Sequence, residues 1–139
     1  MNNPEPHIQA KIEHLIRYFA YLNDQKQYEE LIQLFTENAS YTRPSQPDQI
    51  ILGKTDILDS FINRSQKKTQ HVVGNILLDQ QSPDLIISHS QIVLYSGLEN
   101  QELDMIVVGG FNDKITLHQG RWYFNERRGF LNFKHHFTS

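Results

Sequence analysis

After Lys68 the chain reads as four long extended segments joined only by short turns, and this constrains the fold more than any other feature. The segments fall near residues 69–79, 84–96, 102–117 and 121–131. Their links carry turn chemistry: Gln80-Gln81-Ser82-Pro83, Ser96-Gly97-Leu98-Glu99-Asn100 and His118-Gln119-Gly120. Links this short join antiparallel neighbours, because a parallel crossover needs a dozen or more residues. The third segment is apolar on both faces from Met105 to Phe111, so both faces need a cover. Helices supply one cover. A second copy of the chain, packed on the sheet face as a homodimer, is the expected other.

The first half supplies the helices. Ile8, Ile12, Leu15, Ile16, Phe19 and Leu22 recur at spacings of three and four, which predicts an amphipathic helix from His7 to Leu22. Asn23 and Asp24 interrupt it. A short second helix follows with Tyr28, Leu31, Ile32, Leu34 and Phe35 apolar, and with Glu29 and Glu30 in the early turns that the helix dipole favours. Ala39 to Thr42 fits a short strand, and Arg43 to Gln49 holds Pro44 and Pro47 and must be loop or edge. Gly53 breaks the chain before Thr55, the expected N-cap of a third helix carrying Ile57, Leu58, Phe61 and Ile62. Helices followed by antiparallel strands give an α+β fold: a strongly curved mixed or antiparallel sheet wrapped around about three N-terminal helices into a cone. Gly74, Gly109 and Gly110 are candidate kinks or bulges that bend it.

The 139 residues make one domain with a single core, with residues 1–6 and 132–139 expected as tails. A net charge of −3 lacks the basic face that nucleic-acid binding needs. With no cysteine there is no disulfide framework and no thiolate chemistry. No stretch approaches the ~20 apolar residues of a membrane span, and the polar start resembles no signal peptide, so a cytoplasmic location is expected. No His-Glu-x-x-His or other tight ligand spacing is present, so neither metal nor cofactor is expected. Gly53-Lys54-Thr55 lacks the upstream glycine and strand of a phosphate loop.

Thr69-Gln70-His71-Val72-Val73-Gly74-Asn75 carries the most suggestive chemistry. Simple alternation puts His71, Val73, Asn75 and Leu77 on one face. Imidazole both takes and returns a proton near neutrality, so His71 is a candidate general base; the alternative is a core histidine bonded to the backbone. Asn75 on the same face is a candidate ligand contact or a core hydrogen-bonding group. His89 and Gln91 share a face with Leu85, Ile87 and Val93 that lies either in the cavity or in solvent. Arg127 or Arg128 is expected to form an ion pair over the sheet, and His135-His136 to belong to the tail.

The order of several pieces resembles the nuclear-transport-factor-2-like superfamily, and within it the SnoaL-like group, over about residues 8–130. These pieces are Tyr21-Leu22-Asn23-Asp24, Tyr28, Leu34-Phe35 before Ala39-Ser40-Tyr41, Gly53 opening a helix, the Thr69–Asn75 segment, Phe111-Asn112-Asp113, Gly120-Arg121-Trp122-Tyr123-Phe124 and Glu126-Arg127-Arg128. The resemblance implies a cone-shaped, cystatin-like α+β roll. The superfamily holds dehydratases, isomerases and cyclases beside members without chemistry, so fold does not settle function. The enzymatic parallel is scytalone dehydratase, whose catalytic Asp, Tyr and His match Asp24, Tyr41 and His71. By that resemblance His71 takes a proton next to a ketone, Asp24 orients it and Tyr41 helps polarise the carbonyl. On the residues alone, Asp24 is equally a helix cap and Tyr41 an aromatic wall. The sequence departs at Asn23, which replaces a Tyr, at Phe111, which replaces a substrate-binding Asn, and in the second catalytic His, for which only His89 is near.

The expected function is that of a pocket for a small apolar ligand. It is either a dehydratase or isomerase of a small cyclic ketone with His71, Asp24 and Tyr41 catalytic, or a non-catalytic ligand-binding or scaffold protein. Asn75, His89, Gln91, Phe111 and Phe19 complete the expected ligand-binding set.

Overall fold

The computed structural model describes residues 1–137. Helix α1 spans Pro6–Asp24, α2 Tyr28–Leu31 continued by a 3-10 turn at Ile32–Leu34, and α3 Lys54–Ile62. Strands β1 (Phe35–Arg43), β2 (Gln46–Leu52), β3 (Lys68–Ser82), β4 (Leu85–Gly97), β5 (Leu103–His118) and β6 (Arg121–His136) form one sheet in the order β2-β1-β6-β5-β4-β3. Only β1 and β6 run parallel; every other pair is antiparallel. The curved sheet does not close on itself, and β2 and β3 are its edges. This is the α+β cone that the segment pattern predicts.

The apolar stripe of α1 explains how the cone is filled. Ile12, Ile16, Phe19 and Leu22 are fully or nearly fully buried against Phe35, Tyr41, Phe61, Phe111 and Phe124. Phe19 makes edge-on contacts with Phe35, Phe61, Phe111 and Phe124 at centroid separations of 5.8–6.0 Å. Such geometry adds to the area it removes from water.

Three local expectations are corrected. Helix α3 begins at Lys54 on an N-cap of Gly53 (φ +85°), not on Thr55. A positive φ there suits glycine, and the Gly53 N–H donates to the Ala39 carbonyl at 2.7 Å. The segment with Pro47, expected as loop or edge, is an edge strand. The N-terminal residues are held rather than frayed: the Asn2 N–H donates to Asp79 Oδ1, the Gln80 N–H donates to the Asn2 carbonyl, and Pro4 is buried. At the other end, β6 continues through His136, which pairs with Met105. The expected C-terminal tail is therefore strand as far as that residue, and residues 138 and 139 lie outside the described part.

Candidate active site

Between the end of α1, the α3–β3 loop and the inner face of β3, β4, β5 and β6 lies a cavity of about 400 Å³. Ile92, Leu94, Met105, Val107 and Phe111 make its apolar wall, and Asn23, Tyr28, Tyr41, Thr69, His71 and Ser96 its polar wall. Its volume lies within the range of small-molecule sites.

His71 sits on this wall because Asp24, the last residue of α1, stitches the helix to β3. His71 Nδ1–H donates to Asp24 Oδ1 at 2.6 Å, the His71 backbone N–H donates to Oδ2 at 2.8 Å, and the Thr69 hydroxyl donates to Oδ1 at 2.9 Å. A carboxylate accepts only, so the proton of neutral imidazole lies on Nδ1 and Nε2 keeps its lone pair. Nε2 has no hydrogen-bond partner among the described residues. Tyr41 is fully buried, and its hydroxyl oxygen accepts from Arg64 at 3.3 Å, which leaves the phenolic proton free to donate. Burial raises the Tyr28 phenol above its ordinary value, with Arg64 pulling the other way, so Tyr28 stays protonated near neutrality.

Of the five residues expected as ligand contacts, Phe111 lines the cavity and the other four do not. Phe19 lies beneath it in the aromatic core. Asn75 is displaced by a bulge: Gly74 pairs with Gln91 and Leu77 with His89, so two β3 residues stand against one on β4. Asn75 adopts φ +49°, and the alternation reverses across it. His71 and Val73 face inward before the bulge, Ile76 and Leu78 after it, and Asn75 and Leu77 turn out. Gln91 faces outward with Asn75, whose side-chain amide donates to it at 2.6 Å. His89 is also on the outer face, 2.9 Å from Asn112 Oδ1 and stacked on Phe130. The inner face of β4 is Ile86, Ser88, Ser90, Ile92 and Leu94. Small serines there disguise an interior face as a polar one.

Residues not expected in the site also reach the cavity: Lys26, Arg43, Arg64, Lys67 and His136. Arg64 follows α3, and its guanidinium stacks 3.9 Å above the Phe61 ring and donates to Asn23 Oδ1 at 3.4 Å. Arg43 ends β1, where Gly129 of β6 lets the turn lie close: a Cβ on Gly129 would sit 2.3 Å from Pro44 N. The Gly129 N–H donates to Thr42 Oγ1 at 2.7 Å and fixes that approach. Burial, and next the charge of Arg64, push the Arg43 guanidinium below its ordinary value. Lys67 is neutralised by Asp104.

The chain matches the SnoaL-like domain family over residues 6–128, nearly its whole length. The chain belongs to the SnoaL-like domain family. It shares the nuclear-transport-factor-2-like cone with solved structures of low sequence identity. A candidate scytalone dehydratase from Novosphingobium aromaticivorans is 21% identical, with a TM-score of 0.80 over 94% of this chain and 88% of that one. The hexachlorocyclohexane dehydrochlorinase LinA-type3 from Novosphingobium barchaimii is 18% identical, with a TM-score of 0.80 over 96% and 95%. A cystatin-like-fold protein of unknown function from Nostoc punctiforme is 16% identical, with a TM-score of 0.77 over 95% and 96%. These likenesses show the fold. No curated protein matches the SnoaL-like chain by sequence. Among its described residues no helix is long and apolar enough to cross a membrane, and no group of three or more His, Cys, Asp or Glu is gathered to hold a metal ion.

Proposed function

We propose that this SnoaL-like protein is a proton-transfer enzyme acting on a small cyclic ketone or hydroxy-ketone, by dehydration or isomerisation. The observation that carries the reading is the Asp24–His71 pair on the cavity wall, with Nδ1 engaged and Nε2 unpartnered. His71 Nε2 takes a proton from the carbon next to the carbonyl. Asp24 holds the ring and stabilises the imidazolium that forms. The Tyr41 hydroxyl donates to the developing enolate oxygen. In a dehydration, the imidazolium returns the proton to the departing hydroxyl, which leaves as water. In an isomerisation, it returns the proton to another carbon. Two solved relatives of the fold are named for eliminations, a dehydratase and a dehydrochlorinase, which is consistent with this class.

A second reading, a cavity that holds its ligand unchanged, is favoured by the position of His89 on the outer face. Solvent deuterium exchange next to the carbonyl, followed by NMR over a panel of cyclic ketones, separates the two. The enzyme reading expects catalysed exchange that falls roughly 10²–10⁴-fold in His71→Gln. Exchange equal to wild type in that variant removes His71 from the mechanism.

A further inference from the structure

The cavity gathers charge of one sign. Lys26, Arg43, Arg64 and Lys67 line it, four of the 13 Lys and Arg in the chain, while none of the 16 Asp and Glu does. The chain as a whole has a net charge of −3, so the sign of this lining opposes that of the protein. Asp24 stands behind His71 and Asp104 is taken by Lys67. Arg43 and Arg64 have no carboxylate within ion-pair distance among the described residues. Arg64 touches only neutral acceptors, at the long distances of 3.3 and 3.4 Å, and its Nε is buried without a partner. Arg43 makes no side-chain hydrogen bond at all among these residues.

Two guanidinium groups beside one partly enclosed cavity repel each other, and a bound anion removes that cost. The geometry points to a substrate that carries a carboxylate, held by Arg43 and Arg64, on an apolar ring that packs on Ile92, Val107 and Phe111 beside His71. This rests on the proton-transfer reading and narrows its ketone to a keto acid. A carboxylate fits because its planar pair of oxygens matches the fork of a guanidinium. The apolar wall opposite needs the ring to be uncharged, so one molecule satisfies both sides of the cavity.

The test compares the cyclohexanone that bears a carboxylate opposite its carbonyl with the corresponding primary amide. Affinity for wild type, Arg43→Gln and Arg64→Gln is measured by NMR titration, with circular dichroism as the check on folding. The acid is expected to bind at least about tenfold more tightly than the amide. Each substitution is expected to weaken the acid about tenfold and leave the amide within about twofold. Arg43→Gln removes no hydrogen bond of the fold, so it remains informative should Arg64→Gln unfold. Equal affinity for acid and amide overturns the inference, as does failure of the acid to bind at millimolar concentration or unaltered acid affinity in folded Arg43→Gln. Deuterium exchange on the same two compounds reports separately on His71. Preference for the acid without exchange sinks the proton-transfer reading alone, and exchange without preference sinks the carboxylate site alone.

Discussion

Asp24–His71 and Asp113–Arg127 are contacts of 2.6 and 2.7 Å inside the same cone. The first pair keeps 13% and 11% of its side-chain surface open, on a cavity wall. The second keeps 0% and 1%, sealed in the core. Phe111 is the partition between them: one side lines the cavity, and the Arg127 guanidinium lies 3.8 Å from the ring centroid. Phe19 and Phe124 close the rest of the box at 4.4 Å each. Burial pushes the Asp113 carboxyl up, against Arg127 and the Ser88 hydroxyl, and pushes the Arg127 guanidinium down, against Asp113. A charge so enclosed persists only with its partner and its aromatic faces. The same residue type, Asp, thus holds a histidine ring on a cavity wall in one place and balances a buried cation in the other.

The sharpest way to break this contrast is Asp113→Ala, which leaves Arg127 charged and unpaired in the core. It is expected to cost about 3–5 kcal/mol of stability, read as a lowered denaturation midpoint in urea. A stability loss below about 1 kcal/mol would show that the box is wet and that the two pairs are alike.

The elements of this fold are more legible in the sequence than the pockets between them. The three-four spacing of Ile12, Leu15, Ile16, Phe19 and Leu22 is a property of one helix, so it is visible in one dimension. The turns at Gln80–Pro83 and His118–Gly120 are likewise local. The facing of Asn75 is not legible in one dimension because the bulge beside it depends on how β3 registers with β4. Arg43 and Arg64 are not legible for a related reason: one ends a strand and the other follows a helix, and only tertiary packing brings the two together. His136 reads as tail in the sequence because its strand partner, Met105, lies far away along the chain. An ion pair is expected at Arg127 or Arg128 and both form one, but the depth of the Arg127 pair is not legible, since the serines that admit it make β4 look polar.

Asp24→Asn tests the other side of the contrast. It keeps the shape of the side chain while removing the charge that holds the Nδ1 tautomer. Catalysed deuterium exchange is expected to fall roughly 10²–10⁴-fold. The thermal midpoint should stay far nearer wild type than in Asp113→Ala. A large stability loss with near-normal exchange would make Asp24 a structural helix stitch like Asp113.

The outer face of the sheet offers a third comparison, with the packed inner face. Val72, Leu77 and Phe133 are 53%, 52% and 71% exposed there, beside partly exposed Ile87 and Tyr95. We propose that a second copy of the chain covers this surface, as the two-sided apolar run in β5 suggests. Sedimentation should give a dimer mass for wild type at micromolar concentration. Combined Val72→Lys and Phe133→Lys should raise the dissociation constant at least about tenfold without unfolding the subunit. A monomeric wild type ends the proposal.

The smallest effect sits at the bulge that separates the inward run of His71 from that of Ile76. Asn75 holds a left-handed backbone, which Asn tolerates, Gly accepts without strain and β-branched residues resist. Asn75→Gly should therefore change stability by less than about 1 kcal/mol and leave exchange at His71 intact. Asn75→Val should lose about 1–2 kcal/mol, because its Cβ opposes the left-handed conformation. If both variants behave alike, Asn75 is not held left-handed in solution. The alternation would then run unbroken through β3, and His71 could not share the inner face with both Val73 and Ile76. The bulge is thus a condition of the cavity wall as much as a detail of the sheet: removing it would turn either His71 or the core half of the strand outward.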